Sequence, residues 1–355
     1  MAVVAEQLRR ATPGGIGTYV RGLVGGLTAL GPAGPDLRLW ASRPPAGGDD
    51  PLSALGPVVA SPLPGPALVR AWNRGLAAYR DQADVVHATS LAVPPRRRAP
   101  LTVMVHDLAW RRLPEAFPAR GRRWHEAALG RATQRASLLL TPSQATADDL
   151  VAAGAPATQV EVVEEGSDHL PAPDHEAAAA VLARLGVAGP YLLSVSTIEP
   201  RKNLRRLVAA YAAARPHLPG DWPLVVAGPS GWGDEARPEG EGVVLAGWVA
   251  DGALAALYAG ARAVAYVPLL EGFGLPALEA MAAGAPVVAS PMPSTGGAAL
   301  EVDPLDVAAM ADALVTAATD EGARRELAGA GARRAAALTW AAAARRHLEL
   351  WASVA

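Results

Sequence analysis

The feature that most constrains the fold is the alternation, along almost the whole chain, of short apolar runs with longer alanine-rich runs. The short runs are typical of buried strands, and the alanine-rich runs are typical of helices. Alternation of this kind indicates βαβ units and parallel sheets, so we predict an α/β fold. The predicted strands are Val3–Leu8, Leu37–Ala41, Val85–Ala88, Leu101–Val105, Leu138–Thr141, Val160–Val163, Tyr191–Ser196, Leu224–Ala227, Gly242–Ala246, Ala263–Val267 and Pro286–Ala289.

The length of 355 residues suits two domains, since an average domain has roughly 150 residues. A polar, helical stretch at Pro171–Pro190 separates two sets of strands. We therefore predict domains at residues 1–170 and 171–339, with a helix at 340–355 that packs back across the domain junction. The proline- and glycine-rich segment Arg43–Pro66 is predicted to be a long mobile loop.

Composition excludes several classes of protein. The net charge of −2 gives no global attraction to nucleic acid or to an anionic membrane. The absence of cysteine excludes disulfides, thiolate metal sites and a cysteine nucleophile. The N-terminus lacks a signal-peptide core and no run of about 18 apolar residues occurs, so we expect a soluble, cytoplasmic protein. No Gly-x-Gly-x-x-Gly follows the first strand and no P-loop or Asp-x-Asp occurs, which argues against dinucleotide oxidoreductases, P-loop nucleotidases and metal-diphosphate sugar transferases.

The stretch from Glu271 to Glu279 carries the most chemical information. It places two carboxylates eight positions apart across a glycine-rich turn that enters a helix, with Pro276 at the first helical position and Gly284 as the stop. A helix N-terminus is an anion site because its first amides have no partner within the helix; here these are the amides of Gly274, Leu275 and Ala277. These N–H groups could bind phosphate, and the carboxylates of Glu271 and Glu279 on either side could accept hydrogen bonds from hydroxyls. This combination fits a nucleotide-sugar. The alternative is an ordinary strand-turn-helix with two surface glutamates.

Two adjacent cations follow the strand at Tyr191. Ligands of open α/β sheets bind beyond the carboxyl ends of the strands, and Arg201 and Lys202 lie in such a position. Asn203 is a plausible N-cap of the next helix. An arginine fork and a lysine point charge could together neutralise a diphosphate, although basic residues in loops are also commonly just solvated.

Four other strand exits are weaker candidates. The glycines of Pro13–Tyr19 permit close backbone approach, as in a ligand loop or a simple tight turn. His106 could donate to a sugar hydroxyl or be a satisfied structural histidine. Backbone groups near Gly228 and Val249 could hold a base or a ribose, or form plain turns.

Four motifs in order along the chain resemble those of one family. They are Gly-Gly-Ile-Gly from Gly14, Val-His-Asp around His106, Glu-Pro-Arg-Lys-Asn from Glu199 and the Glu-x7-Glu that begins at Glu271. The chain resembles family 4 of the retaining glycosyltransferases, which implies the GT-B fold: two Rossmann-like, doubly wound parallel-sheet domains facing a central cleft. The Glu-Pro-Arg-Lys-Asn variant is most similar to bacterial mannosyl- and rhamnosyltransferases of polysaccharide and glycan assembly.

The resemblance implies a role for each motif residue. The donor diphosphate would be bound by Arg201 and Lys202, the ribose by Glu279 and the sugar hydroxyls by Glu271. The remaining implied contacts are backbone groups of Phe273, Gly274 and Leu275 to the donor, His106 to the sugar across the cleft, and Gly15 to the phosphates at the acceptor side. Such enzymes need no metal or other cofactor. Transfer is thought to occur on one face of the sugar, with the departing diphosphate helping to take the acceptor's proton.

The resemblance also suggests substrates. We expect GDP-mannose as donor, a glycan, lipid-linked or small-molecule acceptor, and no nucleic-acid partner.

The chain departs from the family pattern at three places. Thr197 stands where the family often has arginine, Glu165-Gly166 replaces Asn-Gly, and the loop around Ser294 is about five residues short. A catalytically silent nucleotide-sugar-binding subunit and a GT-B-fold sugar-nucleotide epimerase are the alternatives.

A basic segment lies in the first half of the chain. Between Arg111 and Arg135 it carries seven arginines interleaved with aromatic residues. It could contact an anionic or lipid-linked acceptor at the inner face of the cell membrane, or form a solvated helix face. The first interpretation predicts that changing Arg122 and Arg123 to glutamate weakens binding to anionic liposomes.

Overall fold

The computed structural model describes residues 1–45, 47, 49–233 and 237–355. Contacts between residues divide the chain into two compact units. The first unit joins Met1–His169 to Thr339–Ala355, and the second is Leu170–Leu338. The first unit is therefore discontinuous in sequence.

The described part of the first unit contains a 7-stranded parallel sheet. Its strands are β1 (Ala2–Val4), β2 (Arg38–Ala41), β3 (Val58–Ala60), β4 (Val86–Ala88), β5 (Leu101–Met104), β6 (Leu138–Thr141) and β7 (Val160–Val162). They lie in the order β3-β2-β1-β4-β5-β6-β7. Parallel neighbours require crossover connections, which the helices supply. These helices are α1 (Gly14–Ala29), α2 (Gly65–Asn73), α3 (Ala109–Arg112), α4 (Ala119–Arg135) and α5 (Gln144–Ala152), and the C-terminal α12 (Trp340–Ala352) joins them.

The described part of the second unit repeats the plan with a 6-stranded parallel sheet. Its strands are β8 (Leu192–Val195), β9 (Leu224–Ala227), β10 (Val243–Gly247), β11 (Ala263–Tyr266), β12 (Val287–Ala289) and β13 (Leu300–Glu301). They lie in the order β10-β9-β8-β11-β12-β13. Its helices are α6 (His175–Arg184), α7 (Leu204–Ala214), α8 (Asp251–Gly260), α9 (Leu275–Ala282), α10 (Val307–Thr319) and α11 (Glu321–Ala337). The predicted α/β class with two doubly wound parallel sheets is confirmed.

The prediction of one long loop at Arg43–Pro66 is wrong. Strand β3 pairs with β2 inside this segment, and α2 begins at Gly65. Proline and glycine hid a strand of only three residues, which lies at the sheet edge where proline is tolerated nearby. Ala46 and Gly48, which fall within the predicted loop, lie outside the described residues.

The first predicted strand is shorter than expected. Strand β1 ends at Val4, and Glu6–Arg9 form a 3₁₀ turn instead of continuing to Leu8. The carboxylate of Glu6 is buried and accepts a hydrogen bond from the backbone N–H of Ser42. The turn places the buried carboxylate of Glu6 where it can accept this backbone hydrogen bond.

Strand order reverses at one place in each sheet. In the first unit this switch lies between β1 and β4, and in the second it lies between β8 and β11. Loops that leave the carboxyl ends of strands at such a switch diverge to opposite faces of the sheet and leave a crevice where ligands bind. In the second unit, these two loops carry Arg201 and Lys202 after β8 and Glu271 after β11.

Helix α12 completes the first unit by packing on α1. Trp340, at its start, occupies a seat made of three glycines: a Cβ at Gly22 would overlap the indole, and a Cβ at Gly26 or Gly166 would overlap the Trp340 backbone. The missing side chains therefore permit a close approach of helix to helix. Among the described helices, none has the length and apolar character to cross a membrane.

Candidate active site

The residues that follow β8 and β11 in the second unit form a compact polar cluster. Lys202 Nζ donates a hydrogen bond to Glu271 Oε1 and lies 2.9 Å from the hydroxyl of Tyr266. The hydroxyl of Tyr266 donates to the same Glu271 oxygen at 2.8 Å, and Arg201 NH1 lies 3.3 Å from it. Arg201 also contacts Glu199, with NH2 3.1 Å from Oε1. The structure thus brings both predicted cations together with Glu271.

Burial makes these charges interact strongly. The side chains of Arg201 and Lys202 are only 14% and 11% exposed. Burial by itself raises the pKa of Glu271, but the charges of Arg201 and Lys202 and the hydrogen bonds from Lys202 and Tyr266 outweigh it and lower that pKa to about 2. Glu271 is therefore an anion at neutral pH, and the two cations belong to a largely buried ionic cluster.

Glu199 is a further buried carboxylate in this cluster. Burial raises its pKa above the ordinary value, while the charges of Arg201 and Lys202 act in the opposite direction. It accepts from the guanidinium Nε of Arg201 at 3.2 Å, which fixes the orientation of that side chain. The sequence placed Glu199 in a motif without giving it a role.

Asn203 is the N-cap residue of α7, as predicted, but its side chain makes no capping hydrogen bond. Its backbone is left-handed, with φ 59°, and its side-chain amide donates to the carbonyls of Val267 at 3.0 Å and Pro304 at 2.7 Å. Asparagine tolerates this conformation better than most residues. Its side chain ties the turn after β8 to the exit of β11, so it helps to assemble the cluster.

Of the three backbone N–H groups that were predicted to be available to an anion at the start of α9, two are available. Gly274 precedes the helix with φ 104°, and Pro276 is the second helical residue rather than the first. The N–H of Ala277 donates to the Gly274 carbonyl at 3.2 Å and is therefore used internally. The N–H groups of Gly274 and Leu275 donate to no residue in the part of the chain that the structure describes. An anion at this end would meet two unpaired donors and the positive end of the helix dipole.

The other predicted donor-side residues surround this end of the sheet. Glu279 lies on α9, 7% exposed, and accepts a hydrogen bond from the Tyr258 hydroxyl at 2.8 Å. Phe273 and Val249 have buried side chains, so only their backbones could meet a ligand. Gly228 has φ 141° and lies against the carbonyl of Ser196, where a Cβ would overlap it.

His106 and Gly15, predicted to bind sugar and phosphates, lie in the first unit. Gly15 is exposed in the first turn of α1, with open space where a Cβ would be. His106 Nε2 lies 3.0 Å from the carbonyl of Thr89 and Nδ1 lies 3.2 Å from the Glu165 carboxylate. Burial lowers the pKa of His106, but the hydrogen bond and the charge of Glu165 outweigh it and raise that pKa. Both acceptors favour the doubly protonated ring of His106. Glu165, which stands where the family pattern has asparagine, therefore has a structural role as the partner of His106.

A buried hydrogen-bond chain lies beside His106, whose ring packs edge-on against Tyr19 at 4.9 Å. The Tyr19 hydroxyl lies 2.8 Å from His347 Nε2, and His347 Nδ1 lies 2.8 Å from the Ala343 carbonyl. Because a carbonyl only accepts, Nδ1 carries the proton and Nε2 must accept from Tyr19. The Tyr19 oxygen then accepts from His87 Nε2 at 2.9 Å.

The chain continues on the far side of His87. Its Nδ1, now the acceptor, lies 2.9 Å from the hydroxyl of Thr102, which in turn accepts from Trp351 Nε1 at 3.1 Å. In this chain each N–H or O–H group has its own acceptor only if both His87 and His347 are neutral, because a protonated ring would place two donors face to face. Burial lowers the pKa of each, that of His347 to about 4. Trp351 and His347 both belong to α12, so this helix is tied to the core of the first unit at two points.

Sequence reasoning missed Tyr266 and Tyr258 as parts of the donor-side region, and it singled out the loop around Ser294 without giving Ser294 a role. A tyrosine as the last residue of the apolar run Ala263–Tyr266 was the one visible signal, because a hydroxyl at a buried strand end needs a partner. Among the described residues, no group of three His, Asp or Glu side chains could hold a metal ion.

Comparison with known proteins agrees with this geometry. Residues 13–169 match the model of Glycosyltransferase Family 4, and residues 189–320 match that of Glycosyl transferases group 1. The chain is 32% identical over 296 residues to O-antigen chain mannosyltransferase B of Escherichia coli, which covers 78% of this chain and 77% of that protein. The chain belongs to the family 4 glycosyltransferases.

A second relative and a solved structure are also similar to this glycosyltransferase. A D-inositol 3-phosphate glycosyltransferase of Salinispora tropica is 36% identical over 210 residues, 52% of this chain and 44% of that protein. The crystal structure of Anabaena Alr3699/HepE in complex with UDP and glucose has a TM-score of 0.74 at 19% identity, covering 99% of both chains. The two Rossmann-like units thus have the GT-B fold.

Proposed function

We propose that this glycosyltransferase moves a hexose, with mannose as the first choice, from a nucleotide-diphosphate sugar such as GDP-mannose to a glycan, lipid-linked or small-molecule acceptor. The mannosyltransferase of Escherichia coli, 32% identical, supports the choice of sugar. The observation that carries the proposal is the cluster of Arg201, Lys202 and Glu271 at the switch point of the second sheet. It lies at the exits of the two strands where this sheet type binds ligands.

The chemistry of the cluster suits a departing diphosphate. Two fixed cations and the amides of Gly274 and Leu275 would stabilise negative charge that grows as the glycosidic bond to phosphate breaks. The proposal assigns this neutralisation to Arg201 and Lys202 rather than to a metal ion. Fixed donors need no reorganisation during the reaction, and their low exposure strengthens each interaction.

We further propose that the reaction retains the anomeric configuration on one face of the sugar. Glycosidases instead use a carboxylic acid of raised pKa to protonate the leaving group, paired with a second carboxylate. A pKa of about 2 leaves Glu271 without a proton to donate, and Glu279 is bonded to Tyr258. These carboxylates are better suited to accept hydrogen bonds, from the sugar at Glu271 and from the ribose at Glu279. The acceptor's proton would pass to the departing diphosphate.

The roles of the first unit in this reaction stay predictions. His106 is proposed to contact the sugar, and Gly15 the phosphates at the acceptor side. For a lipid-linked acceptor, we propose peripheral contact at the cytoplasmic membrane face. Four arginines of the basic segment are exposed: Arg111 and Arg112, which pair with Glu126 and Asp149, and Arg120 and Arg123. Arg122 donates to the carbonyls of Pro114 and Phe117.

A donor panel tests the proposal. UDP-, GDP-, ADP- and dTDP-sugars would be titrated by calorimetry and then assayed for hydrolysis and for transfer to a mannose-terminated glycan. We expect tight binding and turnover with GDP-mannose. Binding without turnover under any acceptor would favour a silent subunit, and turnover of the donor into an epimer would favour an epimerase.

Glu271→Ala provides the residue-level test. It should abolish transfer while nucleotide binding is kept, because both cations remain and lose an anionic competitor. Glu326→Ala, at an exposed glutamate of the same unit, is the control and should behave as the wild type. Loss of nucleotide binding in Glu271→Ala would contradict the assigned role.

A further inference from the structure

The loop between β12 and β13 lies against the back of the turn that begins α9. Ser294, in this loop, is fully buried. Its backbone N–H donates to the carbonyl of Phe273 at 3.1 Å, and its hydroxyl donates to the carbonyl of Gly274 at 2.9 Å. Two successive carbonyls of the turn are therefore held on the side that faces Ser294.

Peptide geometry turns this contact into a constraint on the amides. In a trans peptide the C=O and the N–H point in opposite directions, and no cis peptide occurs among the described residues. The carbonyl of Phe273 shares its peptide with the N–H of Gly274, and the carbonyl of Gly274 shares its peptide with the N–H of Leu275. Fixing both carbonyls on Ser294 therefore aims both N–H groups away from the loop. These are the two amides that donate to no described residue.

The loop is close to the turn and is held from behind. A Cβ at Gly274 would overlap the sulfur of Met292, so the loop rests directly on this Cα and leaves room for glycine only. Arg334, on α11, donates from Nε to the carbonyl of Ser294 at 3.1 Å and from NH2 to the carbonyl of Pro293 at 3.0 Å. A guanidinium that grips two successive carbonyls fixes the loop as a rigid backing.

We propose that Ser294 is a positioning residue that aims the N–H groups of Gly274 and Leu275 at the diphosphate of the donor, and that Arg334 holds Ser294 in place. This inference rests on the proposed function, since it assumes that the two amides meet the donor. It also gives the loop that is short by the family pattern a defined task, because the loop still reaches the turn and orients it.

The test compares two hydroxyls of the same loop. Ser294→Ala removes the tether to the Gly274 carbonyl and leaves the backbone tether to Phe273 intact. Thr295→Val is the control: Thr295 is equally buried, its hydroxyl lies 2.6 Å from both the carbonyl of Met292 and the carboxylate of Glu301, and it shares no hydrogen bond with the described residues of the α9 turn. Both variants remove a fully buried hydroxyl that donates a hydrogen bond, so a purely structural role predicts that Thr295→Val impairs the protein at least as much as Ser294→Ala.

The readouts are melting temperature, affinity for inorganic pyrophosphate and for GDP by calorimetry, and kcat and KM with GDP-mannose. We expect both variants to lower the melting temperature, but only Ser294→Ala to weaken pyrophosphate binding and lower kcat, each by about tenfold, since a misaimed donor costs less than a deleted one. Arg334→Gln leaves the residues of the turn unchanged and should also weaken pyrophosphate binding and lower kcat. It replaces Ser294→Ala in the test if that variant does not fold.

Three results would overturn the inference. They are wild-type pyrophosphate affinity and kcat in Ser294→Ala and Arg334→Gln, an equal loss in Thr295→Val, and a wild-type protein that binds no pyrophosphate. The inference and the proposed function can fail separately. A wild-type protein that binds pyrophosphate but transfers no sugar would refute the function, while the pyrophosphate comparison would still decide the role of Ser294.

Discussion

Acidification from pH 7 to pH 5 should destabilise the first unit through its two buried histidines. The hydrogen-bond chain through Tyr19 requires His87 and His347 to be neutral, because each accepts one hydrogen bond on a ring nitrogen. Of the ionisable groups around this chain, His106 acts on His87, and Glu165 acts on Tyr19, which lies between the two rings. Protonation of either buried ring would place an uncompensated charge in the core and break the chain.

The sign and the size follow from the pKa values. The pKa of His347 is about 4 in the folded protein, below the value of about 6.5 in an unfolded chain. The unfolded state therefore binds the proton first as the pH falls, and stability present at neutral pH is lost below about pH 6.5. At 1.36 kcal/mol per pKa unit, His347 alone accounts for about 2 kcal/mol between pH 7 and pH 5. His87 acts in the same direction.

His106 acts in the opposite direction. Its folded pKa is raised, so its contribution is fully present below the unfolded pKa and is lost as the pH rises through the folded value. It therefore offsets part of the loss on acidification. The net effect remains a loss, because two depressed histidines oppose one that is raised.

Native-state hydrogen exchange of the α1 and α12 amides at pH 7, 6 and 5 measures this stability, after correction for intrinsic exchange rates. His347→Gln keeps an acceptor for Tyr19 but cannot titrate, and it should lower the pH dependence by close to one proton. His217→Gln, at an exposed histidine, should leave the wild-type slope. An unchanged slope in His347→Gln would refute the buried-histidine account, whatever the absolute stability of that variant.

Three further changes are predicted to act at separate places. Lys202→Ala should weaken diphosphate binding at least tenfold by calorimetry, since a charged hydrogen bond is worth about 1.5–3 kcal/mol and Glu271 keeps only Arg201 and Tyr266 as partners; a wild-type dissociation constant would remove Lys202 from the site. Gly22→Val should lower the melting temperature by overlapping the indole of α12, whereas Gly25→Ala, with open space around it, should be neutral or stabilising; equal effects would contradict the glycine seat. Changing Arg120 and Arg123 to glutamate should reduce cosedimentation with anionic liposomes, and unchanged sedimentation would remove the membrane proposal.

The strands could be predicted because their signal is local. The run Leu138–Thr141 is apolar, bounded and buried, and β6 has these same ends. Strand β3 was missed because three residues inside a proline- and glycine-rich segment give no period, and β13 has only two residues. Their strand character comes from pairing with a neighbour, which depends on the tertiary structure.

The site was predictable in position more than in contacts. Each motif could be placed at a strand exit, and this was enough to locate Lys202 and Glu271 at one edge of a parallel sheet. Their pairing through Tyr266, the turn of Asn203 towards Val267 and the backing by Ser294 depend on side-chain directions that a sequence pattern does not contain. The bond between Tyr19 and His347 joins positions 328 residues apart, and no local pattern predicts it.

The seat of Trp340 on Gly22, Gly26 and Gly166 has a consequence for biosynthesis. At about 5–20 residues per second, a ribosome needs roughly ten to thirty seconds to make the second unit before Thr339–Ala355 can emerge. During that interval the nascent first unit presents an unfilled glycine groove, and the Tyr19 hydroxyl lacks one of its partners. A chaperone that binds nascent chains would find its target there until Trp340 fills the groove.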